Sequence, residues 1–265
     1  MVPQPAQPPG SRHFRFFRSL SALMLREMAT TYGRSPGGYL WMILEPAAGI
    51  ALLSFVFSMI ARSPAIGSNF PLFFATGLMV FQLYSTISNL TAKALTFSKP
   101  FLAYPAVTFV DALAARIFLN TLTQILVMTI VIYAIILIYD LKLILDWGAI
   151  GNALAMCISF GAAVGTMNCY LFERIPLWER FWTVLNRPMF ILSGILFIPE
   201  VVPARLRDYY MMLPLPHMTS EMRRGFYATY EGAYVQPVYV YVISVVVLML
   251  GMILLLRNHK YLAEL

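Results

Sequence analysis

Charged residues and histidines are scarce in this sequence. Asp, Glu, Lys and Arg make up 12% of its 265 residues and hydrophobic residues make up 60%, whereas a soluble domain is about a quarter charged. This composition excludes an ordinary water-soluble domain and predicts a polytopic membrane protein. The three histidines, His13, His217 and His259, are far apart in the sequence and predict neither a metal site nor a catalytic cluster.

Nucleotide-binding and redox motifs are also missing. No Gly-Lys-Ser/Thr occurs, so the chain has no P-loop, and the energy for any uphill transport must come from another chain. Cys157 and Cys169 would lie roughly 18 Å apart on one helix, too far for a disulfide. The net charge of +7 comes without a clustered basic patch interleaved with aromatic residues, which argues against a nucleic-acid partner.

Long apolar runs predict an all-α protein with six transmembrane helices. Each run supplies about the 20 residues that a bilayer requires. The predicted spans lie near 38–61, 71–92, 109–138, 148–171, 180–198 and 236–256. An even number places both termini on one side, and the distribution of Lys and Arg favours the cytoplasm.

The segments outside the spans are predicted to differ in character. Residues 1–12 are rich in Pro and Gln and are predicted to be disordered, and residues 13–35 form an interfacial amphipathic helix whose arginines face lipid phosphates. Residues 93–108 predict a short cytoplasmic helix. Residues 199–235 are divided by Pro203, Pro214 and Pro216, and predict a periplasmic re-entrant helical hairpin before the last span.

The segment RSPGGYLWMILEPAAG, residues 34–49, places an acid and helix breakers where the first span begins. Glu45 would lie roughly 12 Å into that span, where an unpaired acid costs on the order of 2.5–3.5 kcal/mol. It therefore either lines a conduit or pairs with a cation such as Arg187. Tyr39 and Trp41 either belong to the interfacial aromatic belt or stack on sugar rings.

The fifth predicted span carries a stripe of aromatic and polar residues on one helix face, Trp178, Trp182, Asn186, Met189, Ser193 and Phe197. The stripe fits either a sugar-lined conduit or ordinary helix packing, and Arg187 lies on the opposite face. Gly161 and Gly165 in GAAVG form a small-xxx-small pattern that favours close helix packing within the chain.

Residues 30–58, TTYGRSPGGYLWMILEPAAGIALLSFVFS, resemble the opening of ABC-2-type permeases, in particular the inner-membrane subunit of capsular polysaccharide exporters. The segment PLPHMTSEMRRGFY resembles that family's late hairpin through Pro214, Glu221 and Arg224, although Leu213 stands where an asparagine is commoner. The resemblance implies an ABC-2-type transmembrane domain over 36–265 that has no catalytic residues or cofactor of its own. It also implies a homodimer, with ATP and magnesium bound by two separate ATPase subunits.

The same resemblance implies a substrate and further partners. The substrate would be a lipid-linked acidic polysaccharide moved from cytoplasm to periplasm across the bacterial inner membrane, with a periplasmic copolymerase and an outer-membrane channel. Arg26, Glu27, Lys93, Lys99 and Pro100 are candidates for ATPase contact, although membrane anchoring explains the two lysines equally well. The hairpin is either a gate or a cap that docks a partner. Its candidate gate residues are Arg207, Tyr209, Tyr210, Glu221 and Arg224.

Two other functions fit the sequence. An exporter of O-antigen, teichoic acid or drugs would have the same fold. A gradient-driven carrier or channel belongs to another class, and the absence of inverted repeats and proton relays argues against it.

Overall fold

The computed structural model describes residues 21, 24–25, 38–102 and 108–264. The predicted tail at 1–12 lies outside the described residues, as do Arg26, Glu27 and nearly all of the predicted interfacial helix at 13–35. The described residues form helices, turns and loops, without a strand. The described part of the chain is therefore all-α, as the composition predicted.

The described helices follow one another closely in the sequence, and five are long and apolar enough to cross a membrane: α1, α2, α4, α5 and α9. Helices α1 to α5 comprise Gly38–Ile60, Phe70–Ala92, Ala94–Leu102, Phe109–Ile138 and Trp147–Arg174. Helices α6 to α9 comprise Pro176–Leu192, Ala204–Tyr210, Pro214–Phe226 and Pro237–Glu264. Five of the six predicted spans coincide with these long helices.

Local signals in the sequence set where several helices begin. The Asn69 side chain accepts a hydrogen bond from the backbone N–H of Leu72 at 2.9 Å and caps α2. Thr108 and Asp111 form a reciprocal capping box at the start of α4. Asp146 caps α5 through the N–H groups of the next turn. Each polar side chain supplies an acceptor that the first turn of a helix lacks.

Helix α2 lies at the centre of the bundle, and its contacts give the directions of its neighbours. Tyr84 stacks on Phe160 with ring centroids 5.3 Å apart, and Thr91 lies against Gly165, so α5 runs parallel to α2. Gly49 of α1 contacts Leu78 of α2, whereas Phe57, later in α1, contacts the earlier residue Phe74, so the two helices are antiparallel. The contacts of α4 and α6 with α2 follow the same reversed order, so these helices are also antiparallel to α2. One end of the bundle therefore carries α3, and the other carries α8.

Helix α9 is parallel to α5, which constrains the chain between them. The Tyr241 hydroxyl donates to Asn152 Oδ1 at 2.8 Å, and Gly251 packs on Met167 farther along both helices. Since α5 and α9 begin at the same end of the bundle, residues 175–236 must return the chain from the α3 end to the α8 end. Helix α6 makes this return beside α2.

The predicted fifth span, 180–198, is wrong as one continuous helix. Helix α6 has 17 residues and ends at Leu192, which is about 26 Å of helix against a hydrocarbon core of about 30 Å. Gly194 follows with a φ of +81°, a conformation that favours glycine, and the chain continues without regular structure to Pro199. The apolar pattern did not show this break because it continues through it.

The predicted loops contain short helices. Helix α3 occupies the first part of 93–108, in agreement with the expected short helix. Helices α7 and α8 lie within 199–235 and are separated by residues 211–213. Helix α7 begins directly after Pro203 and α8 begins at Pro214, as the prolines indicated. Of the residues of α8, only Pro214 and Arg224 are not buried. This helix packs against α2, α5 and α9.

We expect Gly165→Ala to destabilise the protein by about 1–3 kcal/mol because it overpacks the contact between α2 and α5. A Cβ at this position would lie 2.7 Å from Thr91 Cβ and 2.9 Å from the Ser88 carbonyl oxygen. Gly151→Ala on the same helix is the control, since a Cβ there meets no heavy atom within 4 Å. Thermal unfolding in detergent measures both variants, and equal midpoints would contradict the expectation.

Candidate functional site

Helix α1 exposes an apolar face that contains one carboxylate. Trp41 is 66% exposed and Leu52 64% exposed, and Glu45 lies between them on the same face. Glu45 makes no hydrogen bond or ion pair within the described residues. For Tyr39 the structure describes only the helical backbone. The carboxylate therefore lies on a surface of the single chain, about 10 Å along the helix from Gly38.

The predicted stripe on α6 faces the protein's own helices. Trp178 donates from Nε1 to Asn168 Oδ1 on α5 at 2.9 Å, and Asn186 donates to Asn89 Oδ1 on α2 at 3.4 Å. Met189 packs against the main hydrophobic cluster, and Ser193 is fully buried. The Trp182 indole N–H is buried without an acceptor among the described residues. These contacts give the stripe a packing role, and its assignment to a conduit remains a prediction.

The opposite face of α6 is exposed and carries the cation that the sequence placed there. Val184 is 64% exposed and Ile191 is 51% exposed. Arg187 lies between them on that face and is also exposed. Like Glu45, it makes no hydrogen bond or ion pair within the described residues. Two uncovered faces, on α1 and α6, therefore carry Glu45 and Arg187 without a partner among the described residues.

Helix α3 is fixed to the bundle by polar contacts at its start. Lys93 Nζ lies 2.6 Å from Glu179 Oε1 on α6, and the Thr96 hydroxyl donates to Glu173 on α5 at 2.6 Å. About half of each side chain in the ion pair is exposed, so the pair contributes little to stability. At Lys99 and Pro100 the structure describes only the backbone. A movement of α3 would therefore act directly on α5 and α6.

The irregular chain after α6 is held by donors from α8. Arg223 is fully buried and donates from Nη2 to the Ile195 carbonyl at 2.9 Å and from Nη1 to the Phe197 carbonyl at 3.0 Å. Its guanidinium also lies 4.0 Å from the centroid of the Phe73 ring. The Thr219 hydroxyl donates to the Ser193 carbonyl at 2.7 Å. Two residues one turn apart on α8 thus satisfy three carbonyls that have left the helix.

The predicted gate residues have different surroundings. Arg207 donates to the carbonyls of Pro199, Glu200 and Val202, and Tyr210 is buried against Phe197. Tyr209 is 70% exposed. Four of the five gate residues make contacts that hold the α8 end together, and Tyr209 is the candidate that remains accessible. Their assignment to a gate stays a prediction.

Glu221 and Arg224 form an ion pair three residues apart on α8. Arg224 Nη2 lies 2.9 Å from Glu221 Oε1, which also accepts from Asn152 Nδ2 at 2.8 Å. The Glu221 side chain is fully buried, whereas Arg224 is partly exposed. Through Asn152 the pair is connected to Tyr241 on α9. This network joins α5, α8 and α9 at one end of the bundle.

Burial shifts the pKa values of two bases in α8. Desolvation lowers the pKa of Arg223 to about 10, so its guanidinium stays charged at neutral pH. His217 Nδ1 accepts from the backbone N–H of Gln236 at 3.0 Å, so Nε2 carries the proton and donates to the Met211 carbonyl at 2.8 Å. Burial lowers the pKa of His217, more strongly than its bond to Met211 raises it.

Within the described ranges, no group of three or more His, Cys, Asp or Glu is arranged to hold a metal ion. A protein-family model for the ABC-2 type transporter matches residues 18–227. The chain belongs to the ABC-2 type transporter family. The bundle, the short helix α3 and the α8 assembly are thus parts of a transporter's membrane domain.

Three relatives within this ABC-2 group are similar to the chain over nearly its whole length. The capsule polysaccharide export inner-membrane protein CtrC of Neisseria meningitidis serogroup A is 24% identical over 243 residues, which cover 92% of each chain. The polysialic acid transport protein KpsM of Escherichia coli is 26% identical over 89% of this chain and 92% of its own. BexB of Haemophilus influenzae, a capsule polysaccharide export inner-membrane protein, is 22% identical and covers 92% of both.

Sequence reasoning missed the two donors that hold the break in this ABC-2 chain. Thr219 and Arg223 are four residues apart and so share a face of α8 with the buried Met218 and Met222. The sequence signal for Arg223 was its place on the apolar side of an amphipathic helix, where a cation requires acceptors from the protein. The prediction named the neighbouring Arg224 instead, because Arg224 matches the late hairpin of the family that the sequence resembles.

We expect Arg223→Met to destabilise the protein by on the order of 3 kcal/mol, because two buried carbonyls lose donors from a charged group. The control is Arg205→Met on α7, where an exposed arginine makes no hydrogen bond or ion pair within the described residues, and we expect a change within about 0.5 kcal/mol. Thermal unfolding in detergent gives the stabilities. Limited proteolysis tests whether residues 193–199 become accessible, and an unchanged pattern with unchanged stability would contradict the role.

We expect the wild-type chain to lose stability as the pH falls below 6.5, the ordinary value for histidine. The unfolded chain takes up a proton at His217 there, while the folded chain does so only below its lowered pKa. His217→Gln cannot titrate and should flatten this part of the stability profile. Unfolding midpoints between pH 5 and 8, a range of about three units around the imidazole pKa, measure the effect. Parallel profiles would rule it out.

Proposed function

We propose that this chain is the non-catalytic transmembrane subunit of an ATP-driven exporter that moves lipid-linked acidic capsular polysaccharide across the bacterial inner membrane. The family supports this assignment, as do its relatives CtrC and BexB, which are capsule polysaccharide export proteins, and KpsM, a polysialic acid transport protein. The observation that carries it is the pair of uncovered apolar faces on α1 and α6, whose charges Glu45 and Arg187 have no partner among the described residues. A monomer surrounded by lipid would leave both charges without a partner.

The chain crosses the membrane six times in this proposal. Helices α1, α2, α4, α5 and α9 are five crossings, and α6 with residues 193–198 is the sixth. The parallel arrangement of α5 and α9 supports the sixth crossing, because the chain must return between them. Irregular backbone at membrane depth requires donors from the protein, and Arg223 and Thr219 supply them. Both termini and the α3 end then lie in the cytoplasm.

Two copies of the chain enclose the conduit. Their α1 and α6 faces meet, and Tyr39, Trp41 and Glu45 lie near the cytoplasmic mouth. Gln82 and Asn89 lie on one face of α2 and are partly exposed on its flank toward α6. Amide groups on this flank suit the hydroxyl groups of a sugar chain. The α8 end closes the periplasmic side, where the copolymerase and the outer-membrane channel continue the path.

Two separate ATPase subunits bind ATP and magnesium and contact the α3 end. The attachment of α3 to both α5 and α6, through Thr96 and Lys93, supports this location. A displacement of α3 would be transmitted to α6 and to the broken segment that follows it. Arg26, Glu27, Lys99 and Pro100 complete the proposed contact.

We expect deletion of the gene for this chain from its capsule-producing host to remove surface polysaccharide and to leave polysaccharide inside the cell. The wild-type chain should restore export, whereas the chain purified without its ATPase should hydrolyse no ATP. Inside-out vesicles with both proteins should take up the polysaccharide with ATP, and an uncoupler should have no effect. Uptake that stops with the uncoupler would favour a gradient-driven carrier, and normal capsule in the deletion strain would overturn the proposal.

A further inference from the structure

Glu45 and Arg187 are opposite charges on two separate, uncovered faces. Both belong to helical segments assigned to the membrane, and neither has a partner within the described residues. A charged side chain at the centre of a membrane helix is costly, and such residues nearly always face protein or water. Each of the two therefore requires a neighbour that the described part of the chain does not provide.

The two residues lie at similar heights in the bundle. On α1, Gly49 meets Leu78 of α2, and Glu45 is one turn closer to the α3 end. On α6, Phe190 meets Phe81 of α2, and Asn186 bonds to Asn89. At a rise of 1.5 Å per residue, these contacts place Glu45 and Arg187 within roughly 3–9 Å of each other along the bundle axis. An arginine side chain can span such an offset.

Helices α1 and α6 lie on the same flank of α2 and expose their charged faces outward. Helix α4 contacts both α1 and α2, and helix α5 contacts both α6 and α2. Helices α4 and α5 therefore cover the other side of α2. In a dimer whose two-fold axis runs along the bundle, residues keep their height from one copy to the other. A face with an acid on α1 and a cation on α6 is then complementary to a second copy of itself.

We propose that Glu45 of each copy pairs with Arg187 of the partner subunit, giving two equivalent ion pairs in a homodimer. The proposal deepens the function above and rests on the homodimer proposed there. Arginine and a carboxylate form charge-assisted, often bidentate hydrogen bonds, so Glu45 and Arg187 would each provide the partner that the other lacks. The pairs fix the height at which the copies meet and direct Glu45 into the seam between α1 and α6, not into the conduit.

Charge reversal tests the pair in the complex with its ATPase. We expect Glu45→Arg and Arg187→Glu each to reduce dimer recovery and export at least tenfold, and the double reversal to restore both to within about threefold of wild type. Arg180→Glu is the matched control, because Arg180 lies on the same exposed face of α6 nearer the α3 end. Combined with Glu45→Arg, it should not rescue. No rescue by the double reversal would overturn the pairing.

Cross-linking between differently tagged copies separates the pair from the dimer. One copy carries Glu45→Cys and the other carries Arg187→Cys, and a short bifunctional thiol reagent should join them. Cys157 and Cys169 are fully buried, and a mixture of wild-type copies gives their background. Leu122→Cys in place of Glu45→Cys, on the exposed face of α4, should give no product.

The outcomes distinguish the two levels of the proposal. If the tagged copies co-purify without a cross-link between positions 45 and 187, the pairing is overturned while the homodimer stands. If they do not co-purify, the homodimer fails and the pairing fails with it. Rapid labelling of Glu45→Cys by a membrane-impermeant maleimide in the assembled complex would place residue 45 in the conduit and also overturn the pairing.

Discussion

The contact of Arg223 with the chain after α6 is the interaction on which the architecture depends. Helix α6 ends before it reaches the α8 end of the bundle, and the carbonyls of Ser193, Ile195 and Phe197 that follow it have no helical partners. In the proposed sixth crossing, a bilayer would offer no water to satisfy these carbonyls. The buried guanidinium of Arg223 and the Thr219 hydroxyl donate hydrogen bonds to these carbonyls, so an interrupted helical segment can lie beside the five long helices. The cost of burying a cation is offset by two carbonyls and the Phe73 ring.

The same contact connects the two ends of the molecule. Helix α8 holds the end of α6 through Arg223 and packs on α5 and α9 through Glu221 and its neighbours. At the other end, α3 is joined to the start of α6 by Lys93 and to α5 by Thr96. Helices α5 and α6 therefore both connect α3 to α8. In the proposed exporter they are the route from the ATPase to the periplasmic closure.

Close packing around α2 leaves the charged faces of α1 and α6 free for another copy. Gly161 and Gly165 let α5 approach the α2 backbone within this chain, as their spacing indicated. The resulting bundle covers α2 on the sides of α4 and α5. The faces that stay uncovered carry Glu45 and Arg187, which are acceptable in lipid only when they are covered. The proposed dimer surface is therefore the part of α1 and α6 that stays uncovered after α5 has packed on α2 through Gly161 and Gly165.

The sequence by itself determined the membrane class, the five long helices and the family, since each follows from local composition, periodicity or a contiguous motif. It also placed the stripe and Arg187 on opposite faces of α6. Only the tertiary structure decided that α6 breaks at Ser193, that the stripe faces α2 and α5, and that Glu45 has no cation within the described residues. These depend on contacts between residues far apart in the chain, such as Arg223 with Ile195, and no local pattern encodes which distant group will satisfy a free carbonyl or leave a carboxylate alone.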